Sequence, residues 1–177
     1  HIFSNFGSGT LRGCPTYFSE HCTIYPSTMY KEFLALKKLG HKPTVVIHPL
    51  AKLTSPFDVL ANRNCDDNIS HGTCGLGIGK TMKRQIESPY KLYAIDLLDP
   101  QRLMIKLENI ADWYGININE HKEYIDIYIN AVVKMKWAIE DYNYLKRQAL
   151  IFEGSQGVLL DMDHGIFPHV TYSNTTS

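Results

Sequence analysis

The sequence predicts an α/β fold with a mostly parallel sheet and flanking helices. Apolar residues recur at helical spacing from 28 to 39, and the short β-branched run 44 to 48 follows between two prolines. A longer stretch, 119 to 148, contains neither proline nor glycine and precedes the run 150 to 154, which ends at a glycine. Helical patterns that lead into short buried strands are typical of α/β proteins.

The first third of the chain is punctuated by turn and capping residues. Residues 1 to 26 are rich in Gly, Ser, Thr, Tyr and Pro and predict loops and short strands. Ser27 is the expected N-cap of the first helix, and Gly40 is its expected C-cap. Pro56 predicts the start of a second helix, which runs through Ala61.

The middle of the chain alternates loops and helices. The glycines from 72 to 79 are too dense for regular structure, and residues 93 to 95 predict a brief strand. Pro100 predicts the start of a third helix that ends at Gly115. The run 119 to 148 predicts the longest helix of the chain.

The bulk composition favours a single soluble domain. The chain has 177 residues, of which 44% are hydrophobic and 20% are charged. Its 18 basic residues balance its 18 acidic residues, so no net field attracts nucleic acid or an anionic membrane. No apolar run approaches the roughly 20 residues of a membrane span. We therefore predict neither a nucleic-acid partner nor a membrane partner.

Cysteine usage and the first residues predict a cytoplasmic protein. The cysteines stand at 14, 22, 65 and 74, without a C-x-x-C pair or the spacing of a zinc site or disulfide framework. The chain begins at His1 without an initiator Met, a signal sequence or a long apolar run. We expect a reducing cytoplasm and a chain cut from a longer one.

The first motif is the glycine-rich run 71 to 81, which ends in the G-K-T of a Walker A loop. A strict match needs glycine where this chain has Cys74, and no convincing strand enters the run, which argues against an ordinary P-loop. Converging backbone N–H groups, with the hydroxyls of Thr73 and Thr81, can still bind an anion. The alternative is a connector without a ligand.

The second motif, 152 to 165, places polar residues and glycines after a predicted strand end. Open parallel sheets bind ligands at that edge. Gln156 has both donors and an acceptor for a purine's 6-position and N1 edge, or it ties down its own loop. Asp161, Asp163 and His164 are either metal ligands or, as is commoner in a short turn, caps of backbone groups.

The third motif is the hydroxyl-rich run 168 to 177. Its hydroxyls suit a phosphate or a ribose. The alternative is a disordered polar chain end.

These motifs carry a resemblance to a known family. Residues 151 to 176 closely resemble the adenylosuccinate synthetase stretch F-E-G-A-Q-G-x-x-L-D-I-D-H-G-x-Y-P-x-V-T-x-S-N-T. The run 72 to 79 is similar to the family's G-T-T-G-R-G-I-G loop and lies before it in the same order. Residues 8 to 11 are similar to the family's S-G-I-L element. The resemblance identifies 1 to 177 as a central fragment of an adenylosuccinate synthetase domain, an incomplete portion of a larger P-loop-like synthetase fold.

The resemblance implies a C–N ligase of purine nucleotide biosynthesis. The family transfers the γ-phosphoryl group of GTP to the 6-oxygen of IMP, and the amine of aspartate then displaces that phosphate. Mg²⁺ organises the charges, so catalysis is positioning plus electrostatics. The resemblance also implies a homodimer.

Substrate-binding residues are implied position by position. Gln156 is implied to hydrogen-bond the purine at its reacting 6-position, Leu160 to pack near the nucleotide, and Thr171 to hold the 5′-phosphate. The family's phosphate loop maps onto Gly72 and Thr73, with further contacts from the position of Cys74.

The chain departs from the family pattern in this loop. Cys74 stands where the family has a phosphate-binding threonine, and a thiol is a weaker hydrogen-bond donor than a hydroxyl. Leu76 replaces the loop's arginine. A later arginine that crosses the dimer interface has no certain match, and Lys83 and Arg84 are the nearest candidates.

Two further family elements are absent from these 177 residues. They are the G-D-E-G-K-G loop, which holds the aspartate base and the main Mg²⁺ and GTP contacts, and the G-H with the catalytic histidine. The later segments that bind aspartate and guanine are also missing. We assign no catalytic or metal-binding residue and expect nucleotide binding without turnover.

Three other interpretations remain open. A related synthetase could act on another purine nucleotide such as dGMP. The chain could instead be a non-catalytic scaffold or dimerisation domain. A P-loop nucleotide hydrolase would rest on residues 79 to 81 alone.

Overall fold

The computed structural model describes residues 3–64, 75–146, 148–154, 157–161 and 163–170. The chain divides into two units, residues 1–144 and 145–177. That the chain is a central fragment of one synthetase domain stays a prediction.

The described part of the first unit contains five short strands and five helices, in agreement with the predicted α/β class. The strands are β1 (Thr16–Phe18), β2 (Thr23–Ile24), β3 (Val45–Ile47), β4 (Lys52–Leu53) and β5 (Ala138–Ile139). The helices are α1 (Pro26–Lys38), α2 (Pro56–Arg63), α3 (Ile78–Glu87), α4 (Pro100–Tyr114) and α5 (Lys122–Lys134). Residues Ser8–Arg12 form a 3-10 helix. The short strands that were predicted before α1 are present as β1 and β2.

Both sheets of this unit are parallel. One has the strand order β1-β3-β5, with Thr16 opposite Val45 and Ile47 opposite Ile139. The other pairs β2 with β4. Strand β3 is central and fully buried, which explains why its β-branched run could be recognised in the sequence.

Helix α1 starts earlier than predicted. Its N-cap is Tyr25, and Pro26 occupies the first helical position, where its missing N–H costs nothing. The prediction that Ser27 is the N-cap is therefore wrong. Gly40 does lie at the helix end with φ 86°, and the backbone N–H groups of Gly40 and His41 donate to carbonyls of the last turn.

Two further helix predictions are confirmed. Helix α2 begins at Pro56, and Ser55 caps it by accepting a hydrogen bond from the backbone N–H of Asp58. Helix α4 begins at Pro100, and Gly115 is its C-cap with φ 65°.

The predicted helix over 119 to 148 is only partly present. A 3-10 helix, Ile118–His121, precedes α5, which ends at Lys134. The indole N–H of Trp137 donates to the Val132 carbonyl at 2.7 Å and closes the helix. The chain then forms β5, whose pairing with β3 outweighs the local helical pattern.

The predicted strand over 93 to 95 is reduced to one antiparallel bridge between Lys52 and Tyr93. Residues Ala94–Leu98 form a 3-10 helix instead. The buried Asp96 carboxylate accepts a hydrogen bond from the Tyr93 N–H at 2.9 Å and binds the Lys106 ammonium at 2.7 Å. These contacts favour the tighter turn.

The core of the first unit lies between the sheets and the helices. Helix α1 packs against α5, while α2 packs against α3 and α4. Fully buried side chains of this core include Ile24, Met29, Leu36, Ile47, Leu53, Phe57, Leu92, Leu103, Leu107, Ile110 and Tyr128. Within the described ranges, no helix is both long and apolar enough to cross a bilayer.

The second unit has little regular structure in its described part. Residues 150 to 154 form no strand, and the side chains of Ile151 and Phe152 are 88% and 89% exposed. The prediction of a strand here is therefore wrong, because a β-prone run needs a pairing partner as well as apolar residues. Its regular element is the 3-10 helix Val158–Leu160.

Candidate functional site

The glycine-rich run ends directly at the start of α3. Gly77 is the N-cap of this helix with φ 77°, and a Cβ there would lie 2.9 Å from the backbone of Asp58 and Val59. Both the conformation and the close approach require glycine. Because α3 begins at residue 78, the prediction that 72 to 79 lacks regular structure is wrong for its last two positions.

Thr81 fixes the first turn of α3 against the strand side of the unit. Its hydroxyl lies 2.9 Å from the Thr54 hydroxyl and 3.0 Å from the Gly77 carbonyl oxygen, and its side chain is fully buried. A Walker A threonine would instead present its hydroxyl to a ligand. This burial supports the argument against an ordinary P-loop.

A buried ion pair holds α3 on α2. The guanidinium of Arg84 donates to both carboxylate oxygens of Asp58, each at 2.9 Å, and both side chains are fully buried. The same guanidinium donates to the carbonyl oxygens of Leu53 and Tyr90 at 2.9 Å and 2.8 Å. Arg84 is thus fully engaged inside the fold, so it cannot serve as the phosphate-binding arginine.

Asp58 is the centre of this network. One of its oxygens accepts a hydrogen bond from the Ser55 N–H at 2.7 Å, and the other accepts one from the Tyr114 hydroxyl at 2.8 Å. Burial, and then the Asp58 charge, raise the pKa of the Tyr114 phenol well above its usual range. Three helices therefore meet at the carboxylate of Asp58, the residue whose backbone Gly77 approaches.

Two exposed side chains lie at the described end of the glycine run. Leu76 is 42% exposed, and Arg63 is exposed at the last residue of α2. The Arg63 Nε lies 4.0 Å from where a Cβ of Gly75 would stand. With the residues that the structure describes, its guanidinium makes no hydrogen bond or ion pair. Lys83, the other cation considered from the sequence, is exposed, and its Nζ lies 3.8 Å from a carboxylate oxygen of Glu87.

The sequence argument missed Arg63, Asp58 and Tyr114. Arg63 stands 12 positions before Gly75 in the sequence, so no motif spacing joins the two. A signal for Asp58 was present, because S-x-x-D before an apolar run is a capping pattern. No local signal pairs Asp58 with Arg84, which lies 26 positions later.

In the second unit, the turn after Val158–Leu160 is organised by Asp161. This residue is fully buried, and its carboxylate accepts hydrogen bonds from the backbone N–H groups of Asp163 and His164 at 2.9 Å and 3.0 Å. The capping role is therefore observed. The described residues contain no group of three or more His, Cys, Asp or Glu that could hold a metal ion.

The predicted substrate-binding residues are described only in part. Leu160 lies at the end of the 3-10 helix and is 43% exposed, so it is accessible to a ligand. The other five, Gly72, Thr73, Cys74, Gln156 and Thr171, lie outside the described residues.

Comparisons with known proteins agree on one family. A family model described as adenylosuccinate synthetase matches residues 1–177. An adenylosuccinate synthetase from Halobacterium salinarum is 30% identical over 199 residues, covering 96% of this chain and 44% of the relative. One from Blochmanniella floridana is 35% identical over 179 residues, covering 87% of this chain and 41% of the relative. The chain thus spans less than half the length of these relatives.

A solved structure gives the same result for the fold. The fully ligated adenylosuccinate synthetase from Plasmodium falciparum matches with a TM-score of 0.68 and 18% identity, over 92% of this chain and 42% of that one. The fold is therefore a partial synthetase fold. Because the family model matches the sequence from its first residue to its last, the chain belongs to the adenylosuccinate synthetase family.

Proposed function

We propose that this chain supplies the 6-oxopurine nucleotide site of an adenylosuccinate synthetase. The intact enzyme would convert IMP, L-aspartate and GTP into adenylosuccinate, GDP and phosphate. The observation that carries the proposal is the fixed end of the glycine run: Gly77 lies against the backbone of α2, and the Asp58–Arg84 pair holds α3 on α2. The point at which the run enters α3 is thereby fixed, and closely spaced glycines let backbone N–H groups bind a phosphate.

The roles within this site follow the family pattern. We propose that Gln156 bonds the purine's 6-position, that Leu160 packs beside the nucleotide, and that Thr171 holds the 5′-phosphate. Gly72 and Thr73 would contribute to the phosphate loop, and backbone amides would compensate for the weak donor at Cys74.

Arg63 is proposed to supply the cation that the loop lacks at Leu76. It is exposed, it makes no ion pair with the described residues, and it lies beside Gly75. An arginine guanidinium suits a phosphate because it can donate two parallel hydrogen bonds.

The described residues do not fit a magnesium site. The carboxylate of Asp161 accepts hydrogen bonds from two backbone N–H groups. The described ranges contain no group of three or more His, Cys, Asp or Glu that could hold a metal ion. We propose that Mg²⁺, GTP and aspartate are held by other segments of the intact enzyme. A cytoplasmic location is proposed on the family resemblance alone.

A homodimer is proposed on the same resemblance, with support from α3. Ile78, Met82 and Ile86 recur every four residues on this helix and are 47%, 36% and 75% exposed. The opposite face of α3 is buried against the unit through Thr81 and Arg84. An exposed apolar stripe on a fixed helix is a suitable surface for a second copy.

The test is calorimetric titration of the full chain with IMP. Gln156→Ala should raise the Kd roughly 5- to 150-fold, because a lost pair of base-edge hydrogen bonds costs about 1–3 kcal/mol. The matched control Gln148→Ala changes an exposed glutamine and should leave the Kd unchanged.

The same titration separates the alternatives. Tighter binding of dGMP than of IMP would favour the related synthetase. No saturable binding of either nucleotide to the folded chain would contradict the proposal and favour a scaffold.

A further inference from the structure

A groove of about 360 Å³ opens at the amino edge of the three-stranded sheet. It lies where the chain leaves α1 and enters β3, and where it leaves α5 and enters β5. Three lysines line it, namely Lys37, Lys134 and Lys136. We refer to it as the lysine groove. Its volume falls in the range of small-molecule sites, about 300–1,000 Å³.

The three ammonium groups of the lysine groove are not neutralised by neighbouring carboxylates. The described residues that line it include no Asp or Glu, and none of the three lysines forms an ion pair with the described part of the chain. The Lys37 Nζ lies 5.5 Å from the centre of the Phe33 ring, which orients this ammonium over an aromatic face. An unpaired cluster of three cations in a concave site attracts anions.

Two of these lysines also stabilise helix ends. Lys37 and Lys134 lie in the last turns of α1 and α5, where cations stabilise the helix dipole. Carbonyl groups at both helix ends, however, already accept hydrogen bonds from other donors. At α1 the donors are the backbone N–H groups of Gly40 and His41. At α5 the Trp137 indole N–H donates to the Val132 carbonyl. Two helix ends carry about −0.5 charge each, so three lysines leave a positive excess of roughly two charges.

The floor of the lysine groove is apolar. Val45 and Met135 are both buried there, and the half-buried ring of Phe33 forms part of the wall. Val45 and Met135 are already buried, so the half-buried Phe33 ring supplies the apolar surface that a group attached to the anion would cover and a bare inorganic anion would not.

We propose that the lysine groove binds a small organic anion of the phosphomonoester class, with its anionic group attracted by the three lysines and its apolar group against the exposed part of the Phe33 ring. Leu160, the one residue assigned to the purine nucleotide that the structure describes, does not line the groove, and the argument for this site draws on no residue of the proposed function.

The probe is 1-naphthyl phosphate, titrated calorimetrically into the full chain, with 1-naphthol and inorganic phosphate as separate arms. We expect saturable binding of naphthyl phosphate at least tenfold tighter than that of either fragment. Replacing Lys37, Lys134 or Lys136 singly by Gln should weaken it roughly two- to five-fold, as for single exposed ion pairs. The control Lys31→Gln lies on α1 away from the groove and should change nothing.

The outcomes separate this site from the nucleotide site. Gln156→Ala should leave naphthyl phosphate binding unchanged, and the three lysine variants should leave IMP binding unchanged. The proposal is overturned if naphthyl phosphate does not saturate, if naphthol or inorganic phosphate binds as tightly, or if Lys31→Gln weakens binding as much as Lys134→Gln. It is also overturned if Gln156→Ala abolishes binding of the probe.

Discussion

At the scale of single residues, the fold of the first unit depends on one carboxylate. Asp58 caps the start of α2, neutralises the Arg84 guanidinium and accepts a hydrogen bond from the Tyr114 hydroxyl. A buried carboxylate is tolerated only when its lone pairs are filled in this way. Each partner comes from a different helix, so loss of one contact affects the mounting of the glycine run.

Arg84→Met tests this dependence. The substitution leaves the Asp58 charge buried without its counter-ion, and we expect a loss of about 3–5 kcal/mol in the free energy of unfolding. The neighbouring control Lys83→Met changes an exposed residue and should stay within about 0.5 kcal/mol. Urea denaturation followed by circular dichroism measures both. Equal stability of the two variants would show that the ion pair is not structural.

Arg63→Gln tests the proposed loop cation. We expect the Kd for IMP to rise roughly 10- to 150-fold, since charge-assisted hydrogen bonds contribute about 1.5–3 kcal/mol. Inosine lacks the phosphate and should bind both forms of the protein equally. An unchanged Kd for IMP, or an equal loss for inosine, would exclude Arg63 as a phosphate ligand. Arg102→Gln, on an exposed position of α4, is the matched control.

Chemistry at single residues could be predicted only where it is local. The capping role of Asp161 was one of two alternatives that the sequence allowed, because both partners lie within three positions. Arg84 was considered as a surface cation, and it is instead buried against a residue 26 positions away. No pattern in one sequence encodes that pairing.

At the scale of elements, the correct predictions rest on signals at the element's own ends. Proline at the first position and glycine after the last marked α4, and the same proline signal marked α2. The long helix over 119 to 148 was overestimated because neither proline nor glycine marks its end at Lys134. Its end is set by the pairing of β5 with β3, which joins residues about 90 positions apart.

The contact between α4 and α2 predicts a response to alkaline pH. In the unfolded chain the Tyr114 phenol titrates near pH 10, whereas in the folded chain burial and Asp58 raise its pKa. The folded state therefore keeps a proton that the unfolded state loses. Its stability is fully present below pH 10 and falls above it by up to about 1.4 kcal/mol per pH unit for this proton.

Tyr114→Phe removes this phenol and should reduce the loss of folding stability above pH 10. The measurement is the free energy of unfolding at pH 9, 10 and 11 for both proteins. A slope between pH 10 and 11 that is the same in the variant would contradict the assignment, whatever the loss of stability at pH 7.

At the scale of the whole molecule, the α/β class and the parallel pairing follow from the order of elements along the chain. The motifs at 72 to 79 and 151 to 176 predicted the family, and the comparison over residues 1–177 confirmed it. The arrangement of the substrate-binding residues could not be predicted, because it depends on contacts between distant segments. The division into units at residue 144 likewise had no signal in composition.

The exposed stripe on α3 predicts the oligomeric state. Ile86→Asp places a charge on the most exposed of its three apolar side chains, and we expect it to shift the chain from dimer to monomer. Sedimentation equilibrium gives the mass of each form. The control Glu87→Gln lies beside the stripe and should leave the mass unchanged. A wild-type monomer would contradict the proposed homodimer.

The exposed run at Leu150, Ile151 and Phe152 has a consequence for the behaviour of the protein in solution. Two of its side chains stand almost entirely in water, and the segment is short, β-prone and uncharged. The formal net charge of the chain is zero, so no long-range repulsion keeps molecules apart. Concentrated samples should therefore scatter light through pairing of this segment between molecules.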